Sequence, residues 1–251
     1  MAAIALNIEM SIIIPTINEA MYIEETLKSV VKQYPSFNFE IIVCDGGSKD
    51  NTVEIARKYA RVVVSPTQGT GTQLDFAANL SKGKILVFLD ADTLLPEGYL
   101  QRVYESFKMD ESLWVCGASF GYCGRKRIRI RLGRVSTTIT EYVFVNLAMY
   151  LWYISRDVFH FTEIPGCNFC IRRDVYSEIG GFNRFSSVVV DIALSSAVRE
   201  LIKRRGTGRM KIFKSIIVLT SPRHISLRRS ARLVKNYRKI LAKTRSNKHG
   251  V

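Results

Sequence analysis

A short apolar run that ends in two carboxylates constrains the fold of this chain more than any other feature. In "KILVFLDADTLLP", residues 84–96, five apolar residues lead directly to Asp90 and Asp92. An apolar strand bounded by Gly83 and Pro96 is typical of the centre of a sheet that is covered on both faces. Because burying an unpaired carboxylate is costly, both acids should lie at the carboxyl end of the strand. There they should face a metal ion, a basic side chain or the amino end of a helix.

Strand and helix patterns alternate through the first half, which indicates an α/β fold with a doubly wound, mostly parallel sheet flanked by helices. Strands are predicted over residues 10–14, 39–44, 61–65 and 85–90, and helices over 20–33, 51–59 and 72–81. Later elements are predicted as helices to about 109, within 139–154 and over 189–205, and as strands over 114–120, 168–172 and 210–220.

Polar residues follow each of the first four predicted strands. The strand ends read PTINE (15–19), CDGGSKD (44–50), SPTQGTG (65–71) and DADT (90–93). Ligands of open parallel sheets bind beyond the carboxyl ends of the strands. These residue types suit a nucleotide. Carboxylates can accept hydrogen bonds from a base or ribose, glycines let the backbone approach a phosphate, and acids can hold a metal ion that also binds phosphate.

The positive charge is concentrated in two segments. The chain of 251 residues has a formal net charge of +15. Residues 125–134 hold six basic residues and no acid, and residues 223–251 hold ten and no acid, so the remainder is close to neutral. Such segments suit nucleic acid or an anionic membrane. The basic segment directly precedes the aromatic-rich stretch 139–154, an arrangement that favours a membrane interface over nucleic acid.

Four motifs, in order, resemble those of the family-2 glycosyltransferases, which have the GT-A fold. They are SIIIPTINEA, EIIVCDGGSKDNTVEIA, FLDADTLLP and GCNFCIRRDVYSEIGGFN, and the resemblance spans about residues 10–224. It implies an inverting transfer of a sugar from a nucleotide diphosphate, assisted by Mg²⁺ or Mn²⁺. By the same resemblance, Pro15, Thr16 and Glu19 would line the nucleoside pocket, and Asp45 would accept a hydrogen bond from the base.

The resemblance also assigns roles to the acids of the DxD motif and to the end of the last strand. Asp92 would lie closer to the metal and diphosphate, and Asp90 nearer the ribose while also serving the metal. His224, in TSPRHI, would be a further metal or diphosphate ligand, and Arg223 beside it would neutralise diphosphate oxygens. Asp191 would be the general base.

The sequence departs from the common family pattern at two positions. Gly46 stands where many members carry the second acid of DDGS, which removes one contact to base or ribose. Val190 precedes Asp191 where many members carry a glutamate.

Each of these acids has a simpler structural alternative. Asp90 and Asp92 could cap a following helix, and Asp45 could form a turn before the two glycines. Asp191 could be an N-cap or first-turn acid of its helix, and His224 an exposed residue of the basic tail. Residues 49–52 are interpreted as helix capping.

We predict a single domain over 1–222, with a nucleotide-binding half over about 8–97 and an acceptor half over about 98–222, followed by a basic tail over 223–251. The stretch 139–154 is shorter than the ~20 residues of a membrane-spanning helix. The first ten residues are too short for the apolar core of a secretory signal. Five cysteines without a pairing pattern favour a reducing compartment. A location on the cytoplasmic face of a membrane is therefore expected.

Three functions remain in competition from the residues alone. The first is a glycosyltransferase acting on a lipid-linked or glycan acceptor at an anionic membrane, without nucleic acid. The second is a sugar-phosphate nucleotidylyltransferase, although the first strand is followed by acids rather than by a basic, glycine-rich phosphate loop. The third is a catalytically inactive binding protein whose basic segments hold lipid or nucleic acid.

Overall fold

The computed structural model describes residues 7–123, 127–132, 135–140, 146–147, 164–182 and 190–224. Within these residues the strands are β1 (Met10–Thr16), β2 (Phe39–Asp45), β3 (Arg61–Val64), β4 (Ile85–Leu89), β5 (Thr93–Leu94), β6 (Leu113–Tyr122), β7 (Arg127–Leu132), β8 (Val135–Thr140), β9 (Asn168–Arg172) and β10 (Arg209–Thr220). They form an eight-stranded sheet in the order β3-β2-β1-β4-β9-β6-β10-β5 and a separate two-stranded sheet, β7-β8.

The helices lie mainly where the sequence predicts them, with shorter bounds in several cases. They are α1 (Ile23–Val31), α2 (Thr52–Ala56), α3 (Thr70–Leu80), α4 (Tyr99–Met109), α5 (Arg173–Glu178) and α6 (Val190–Arg205). A short 3₁₀ helix, Pro222–His224, follows β10.

The first four long strands build the parallel part of the sheet, as predicted. β1 pairs in parallel with both β2 and β4, and β2 pairs in parallel with β3. The carboxyl ends of these strands consequently lie at one edge of the sheet. β9 runs antiparallel between β4 and β6, and β6 and β10 are again parallel. The sheet is therefore mostly parallel with one internal antiparallel strand.

Alternate residues of the central strands enter two separate apolar layers. Ile12 and Val87 pack with side chains of α1 and α4 on one face. Ile13 and Phe88 pack with side chains of α3, α5 and α6 on the other. Since successive strand residues point to opposite faces, an unbroken apolar run is what a doubly covered strand requires. This packing fixes the strand ends that carry the polar residues.

An asparagine on β9 joins the two halves of the sheet next to β4. Asn168 is fully buried, and its side chain pairs with the backbone of Ala118 on β6, accepting from its N–H and donating to its carbonyl at 3.2 Å. The backbone N–H of Asp90 donates to the Cys167 carbonyl at 3.3 Å, immediately before β9. The antiparallel strand thereby anchors the start of the DxD turn.

The expectation of an apolar helix from residue 139 is wrong at its amino end. Ile139 and Thr140 belong to β8, which pairs with β7 of the basic segment as an antiparallel hairpin. Alternation of basic and apolar residues in RIRIRL is a strand signal with period two, and the pairing satisfies the backbone of both segments. Residues 146–147 are helical, and the remainder of 139–154 lies outside the described residues.

The DxD acids do not cap a helix. The chain continues from Asp92 into β5, which pairs with the end of β10, and α4 begins only at Tyr99 after Gly98. Residues 93–98, of which the first two form β5, thus separate the acids from the helix, which removes the capping alternative for Asp90 and Asp92.

Candidate functional site

The loops after β1 and β2 form one hydrogen-bonded unit around Asp45. Asp45 is buried, and one of its carboxylate oxygens accepts from the backbone N–H groups of Gly47 and Ser48 at 2.8 and 2.9 Å. The other accepts from the hydroxyls of Ser48 and, at 3.3 Å, of Thr16. This is the turn-forming arrangement. The role of Asp45 toward a base stays a prediction.

Gly46 is packed against a glutamine that sequence reasoning did not identify. The Gln73 side chain on α3 donates to the carbonyls of Thr16 and Cys44 at 2.9 and 2.7 Å, and so joins the ends of β1 and β2. A Cβ atom on Gly46 would lie 3.0 Å from the Gln73 Oε1. The missing second acid of the motif therefore has a steric reason, because buried Gln73 occupies the space beside it.

A second set of contacts fixes the amino end of α1. The Glu19 N–H donates to the Thr52 hydroxyl at 2.7 Å, and the Ala20 N–H donates to the Asp50 carboxylate at 3.1 Å. Asp50 also accepts from the Thr52 N–H at 3.1 Å. Asp50 and Thr52 consequently cross-link the loop before α1 to the start of α2. The N-cap residues of α1 and α2 make no side-chain capping hydrogen bond, so the contacts are structural but the capping interpretation of residues 49–52 is not confirmed.

Three charged side chains that are distant in sequence meet at the ends of β1, β4 and β10. Arg223 donates to both carboxylate oxygens of Glu19, with Nη–Oε distances of 2.5 and 2.6 Å. Its Nε lies 2.9 Å from Oδ2 of Asp92. The Asp92 side chain is only 4% exposed, against 10% for Glu19 and 27% for Arg223. The cation that the buried strand end requires is thus an arginine in this structure.

The surroundings of Arg223 hold its guanidinium charged and oriented. Its Cζ lies 4.9 Å from the ring centroid of Tyr22, within range of a cation–π contact. Burial lowers the pKa of Arg223, but hydrogen bonding to Glu19 and the charge of Asp92 outweigh this effect and hold the pKa above its ordinary value. The other oxygen of Asp92 accepts from the Thr220 hydroxyl at 3.3 Å.

The turn between the two DxD acids is held by α1. Fully buried Thr26 donates its hydroxyl to the carbonyl of Ala91 at 2.8 Å, and the Thr93 N–H donates to the Asp90 carbonyl at 3.2 Å. Asp90 is half-buried at the end of β4, two residues before Asp92. Thr26 gives no sequence signal, because its contact joins residues that lie 65 positions apart.

The structure therefore brings most of the predicted site residues to one edge of the sheet. Contacts join Thr16, Asp45 and Gly46 in one group and Glu19, Asp92 and Arg223 in another. Pro15 lies on β1 opposite Cys44 of β2. Asp191 is the second residue of α6, and His224 ends the 3₁₀ helix. The side chains of these last two residues lie outside the described part of the chain.

The donor set suits a divalent ion that is bound jointly with a substrate. Among the described residues, no group of three or more His, Cys, Asp or Glu side chains could hold a metal by itself. Mg²⁺ sites for phosphate substrates commonly use one or two carboxylates plus phosphate oxygens and water. The buried carboxylate of Asp92, which already requires a cation, fits this mode of binding.

The chain matches the sequence profile of glycosyl transferase family 2 over residues 11–180. It is 26% identical to the probable glycosyltransferase YdaM of Bacillus subtilis over 189 residues, 70% of this chain and 43% of YdaM. It is 36% identical to the glycosyltransferase AglE of Haloferax volcanii over 100 residues, 37% of this chain and 33% of AglE. The matches thus span less than half the length of these relatives.

Solved structures share the fold. The mannosyltransferase PcManGT of Pyrobaculum calidifontis, in complex with GDP-Man and Mn²⁺, matches 86% of this chain and 58% of its own with a TM-score of 0.59 and 19% identity. Staphylococcus aureus TarS matches 85% of this chain and 37% of its own with a TM-score of 0.58 and 19% identity. The predicted GT-A fold and the family resemblance are confirmed.

The packing of Gly46 against Gln73 predicts energetic coupling between them. Gly46→Ala should lower the free energy of unfolding by about 1 kcal/mol, because the new methyl group displaces a side chain with two buried hydrogen bonds. In a Gln73→Ala background the same change should cost at least ~0.5 kcal/mol less. Urea unfolding of the four proteins in this cycle measures the difference.

The control for this cycle uses a glutamine elsewhere. Gln101 on α4 accepts from Ser36 and makes no contact with Gly46. Gly46→Ala and Gln101→Ala should therefore be additive. Additivity between Gly46→Ala and Gln73→Ala as well would contradict the steric account.

Proposed function

The chain belongs to glycosyl transferase family 2, and we propose that it transfers a sugar from a nucleotide diphosphate to an acceptor, with inversion and with the help of Mg²⁺ or Mn²⁺. The observation that carries the proposal is the buried carboxylate of Asp92, delivered by β4 to a cation at the sheet edge where Asp45 and Glu19 also lie. Family membership supports an enzyme of the glycosyltransferase class rather than a nucleotidylyltransferase.

Nucleotide sugars are the proposed donors. Among the structural neighbours, PcManGT was solved in complex with GDP-Man and TarS in complex with UDP-GlcNAc. In this chain the nucleoside would lie along Pro15, Thr16, Glu19 and Asp45, with the ribose near Asp90. The loops after β1 and β2 suit this role because their own hydrogen bonds fix them before a ligand binds.

The residues of this site could stabilise the negative charge that develops on the leaving diphosphate. Asp92, with Asp90 and His224, would hold the divalent ion, which when bound supplies electrostatic stabilisation of the leaving diphosphate. Arg223 would contribute a second positive charge. A guanidinium has five N–H donors, and those not directed at Glu19 and Asp92 can donate to phosphate oxygens.

Replacing Asp92 tests the metal assignment. Asp92→Asn should lower kcat for sugar transfer by 10²-fold or more, since stabilisation of the leaving group by the ion is worth several kcal/mol and each 1.4 kcal/mol is about tenfold. The measurement is transfer or hydrolysis of nucleotide sugars over a Mn²⁺ titration. Asp110→Asn is the control, because Asp110 pairs with Arg209 at the other end of β10. An unchanged Mn²⁺-dependent rate in Asp92→Asn would refute the assignment.

Asp191 is proposed as the general base. Inversion requires the acceptor to attack from the side opposite the leaving group, so its proton must be removed across the site from the metal. Asp191→Asn should reduce transfer at least 10²-fold and leave nucleotide binding and thermal stability unchanged. Loss of stability without a specific loss of kcat would instead indicate a first-turn helix acid. Undiminished transfer by Asp191→Asn would instead point to a phosphate acceptor, such as a lipid phosphate, because a phosphate oxygen needs no base.

A lipid-linked acceptor at the cytoplasmic face of an anionic membrane is the proposed setting. Support comes from the two basic segments, 125–134 and 223–251, and from the aromatic residues within 139–154. In the described part of the chain, no helix has the length and apolarity needed to span a bilayer. We propose peripheral binding through the basic segments, with about 1 kcal/mol from each cation near the surface, weakened by salt.

Vesicle binding tests the membrane proposal. The full chain should co-sediment with vesicles of anionic lipid at low salt, release at high salt, and remain in the supernatant with neutral vesicles. A chain that ends at residue 224 keeps Arg223 and should bind more weakly. Equal recovery in the supernatant under all conditions would overturn the proposal, and binding to nucleic acid of equal strength would favour the inactive binding protein.

A further inference from the structure

We propose that Arg223 is a built-in counter-cation of the metal site, and that a divalent ion reaches Asp92 only by displacing the Arg223 Nε while Glu19 retains the guanidinium. This inference rests on the proposed function, because it takes Asp92 as the metal ligand. It adds a competition between two cations for a single carboxylate, and it assigns Glu19 a positioning role in addition to any contact with the nucleoside.

The two carboxylates bind different atoms of the same guanidinium. Glu19 accepts hydrogen bonds from both terminal nitrogens, at 2.5 and 2.6 Å, whereas the contact with Asp92 is an ion pair with an Nε–Oδ2 distance of 2.9 Å. A bidentate contact with two short bonds is stronger and more directional than a single one. The contact with Asp92 is therefore the one that can break while Arg223 stays in place.

Contacts from the first loop position Arg223 independently of Asp92. The Tyr22 ring lies 4.9 Å from its Cζ, and Tyr22 and Glu19 both belong to the segment between β1 and α1. That segment is fixed in turn by Thr52 and Asp50, which accept from the N–H groups of Glu19 and Ala20. The guanidinium is thus held at the site by a preformed loop.

A buried, ionised Asp92 is costly without a cation beside it. Its side chain is 4% exposed, and an unpaired charge at such a position costs several kcal/mol. Arg223 meets this requirement in the absence of metal. The oxygen Oδ1 of Asp92 accepts from the Thr220 hydroxyl at 3.3 Å, and Oδ2 is the oxygen paired with Arg223. Repulsion between two cations would disfavour binding of a divalent ion and the Arg223 Nε to Oδ2 at the same time. Metal binding must accordingly overcome the existing ion pair.

Displacement would turn Arg223 from a partner of Asp92 into a partner of the diphosphate. After the ion pair with Asp92 is broken, the guanidinium N–H groups that do not donate to Glu19 would be available to phosphate oxygens beside the ion. Loading of metal and loading of the nucleotide diphosphate would then support each other. Metal alone would bind weakly, and metal with nucleotide would bind well.

Mn²⁺ binding without nucleotide tests this competition directly. Electron paramagnetic resonance titration of the full chain gives the Mn²⁺ dissociation constant without any turnover. Arg223→Gln should bind Mn²⁺ at least tenfold more tightly than the wild type. Arg223→Lys should also bind more tightly, by about threefold or more, because a single ammonium group cannot reproduce the fork to Glu19 and the contact to Asp92 together. A purely long-range effect of charge would instead leave Arg223→Lys equal to the wild type.

A matched variant and a second ligand complete the test. Arg209→Gln removes one arginine that pairs with a carboxylate at the opposite end of β10, and it should leave Mn²⁺ affinity within twofold of the wild type. With saturating Mn²⁺, Arg223→Gln and Arg223→Lys should both weaken binding of UDP or GDP severalfold. If Arg223 were only structural, its replacement would weaken binding of both Mn²⁺ and the nucleotide, and the two affinities would not change in opposite directions.

The outcomes separate the inference from the proposed function. Equal Mn²⁺ affinity in the wild type, Arg223→Lys and Arg223→Gln, with binding abolished by Asp92→Asn, would overturn the competition and keep Asp92 as the metal ligand. Mn²⁺ binding that is absent from every variant, with and without nucleotide, would overturn both. Tighter binding in Arg223→Gln that disappears in the Asp92→Asn/Arg223→Gln double variant establishes the competition at Asp92.

Discussion

The buried charge of Asp92 is the constraint on which the architecture of the site depends. A central strand covered on both faces places its last residues where water has little access, and a carboxylate there must be neutralised. Arg223 supplies the neutralising charge from the far end of the chain, and Glu19 orients it from the first loop. One ion-pair network thus joins β1, β4 and the segment after β10, which bring together the first and last parts of the described chain.

The parallel half of the fold was predictable because its signals are local. Apolar runs of strand length, alternating with helical patterns, are sufficient for β1 to β4 and for α1 to α3, and parallel pairing then places all the strand ends at one edge. The position of β9 was not predictable in this way. Its place between β4 and β6 depends on Asn168 and Ala118, residues that are 50 positions apart. The β7–β8 hairpin was not predicted for a different reason. The basic residues of RIRIRL were interpreted by their charge and not by their alternation with apolar residues, which has the period of two of a strand.

The site shows the same division between local and distant contacts. Position at strand ends was enough to place Asp45, Asp90, Asp92 and Glu19 at one edge of the sheet, and the family resemblance assigned their roles. Sequence reasoning did not find Gln73 or Thr26, because each acts through a backbone carbonyl of another element, and no spacing in the sequence reveals such a contact. Gly46 illustrates the consequence. From the sequence it is a missing acid, whereas in the structure it is a position where any side chain would press on the buried Gln73 amide.

These contacts divide the sheet edge into a fixed part and an exchangeable part. Around Asp45, every contact is made within the protein, to hydroxyls and backbone N–H groups that a ligand does not replace at low cost. Shape and hydrogen-bond pattern are therefore set in advance there, which suits discrimination between nucleosides. Around Asp92, Oδ1 accepts from the Thr220 hydroxyl and Oδ2 pairs with the Nε of an arginine that Glu19 also binds. Under our proposal a divalent ion would replace this arginine contact and leave the strand unchanged. Recognition and charge stabilisation can then be assigned to different loops of the same edge, so that a change in one need not disrupt the other.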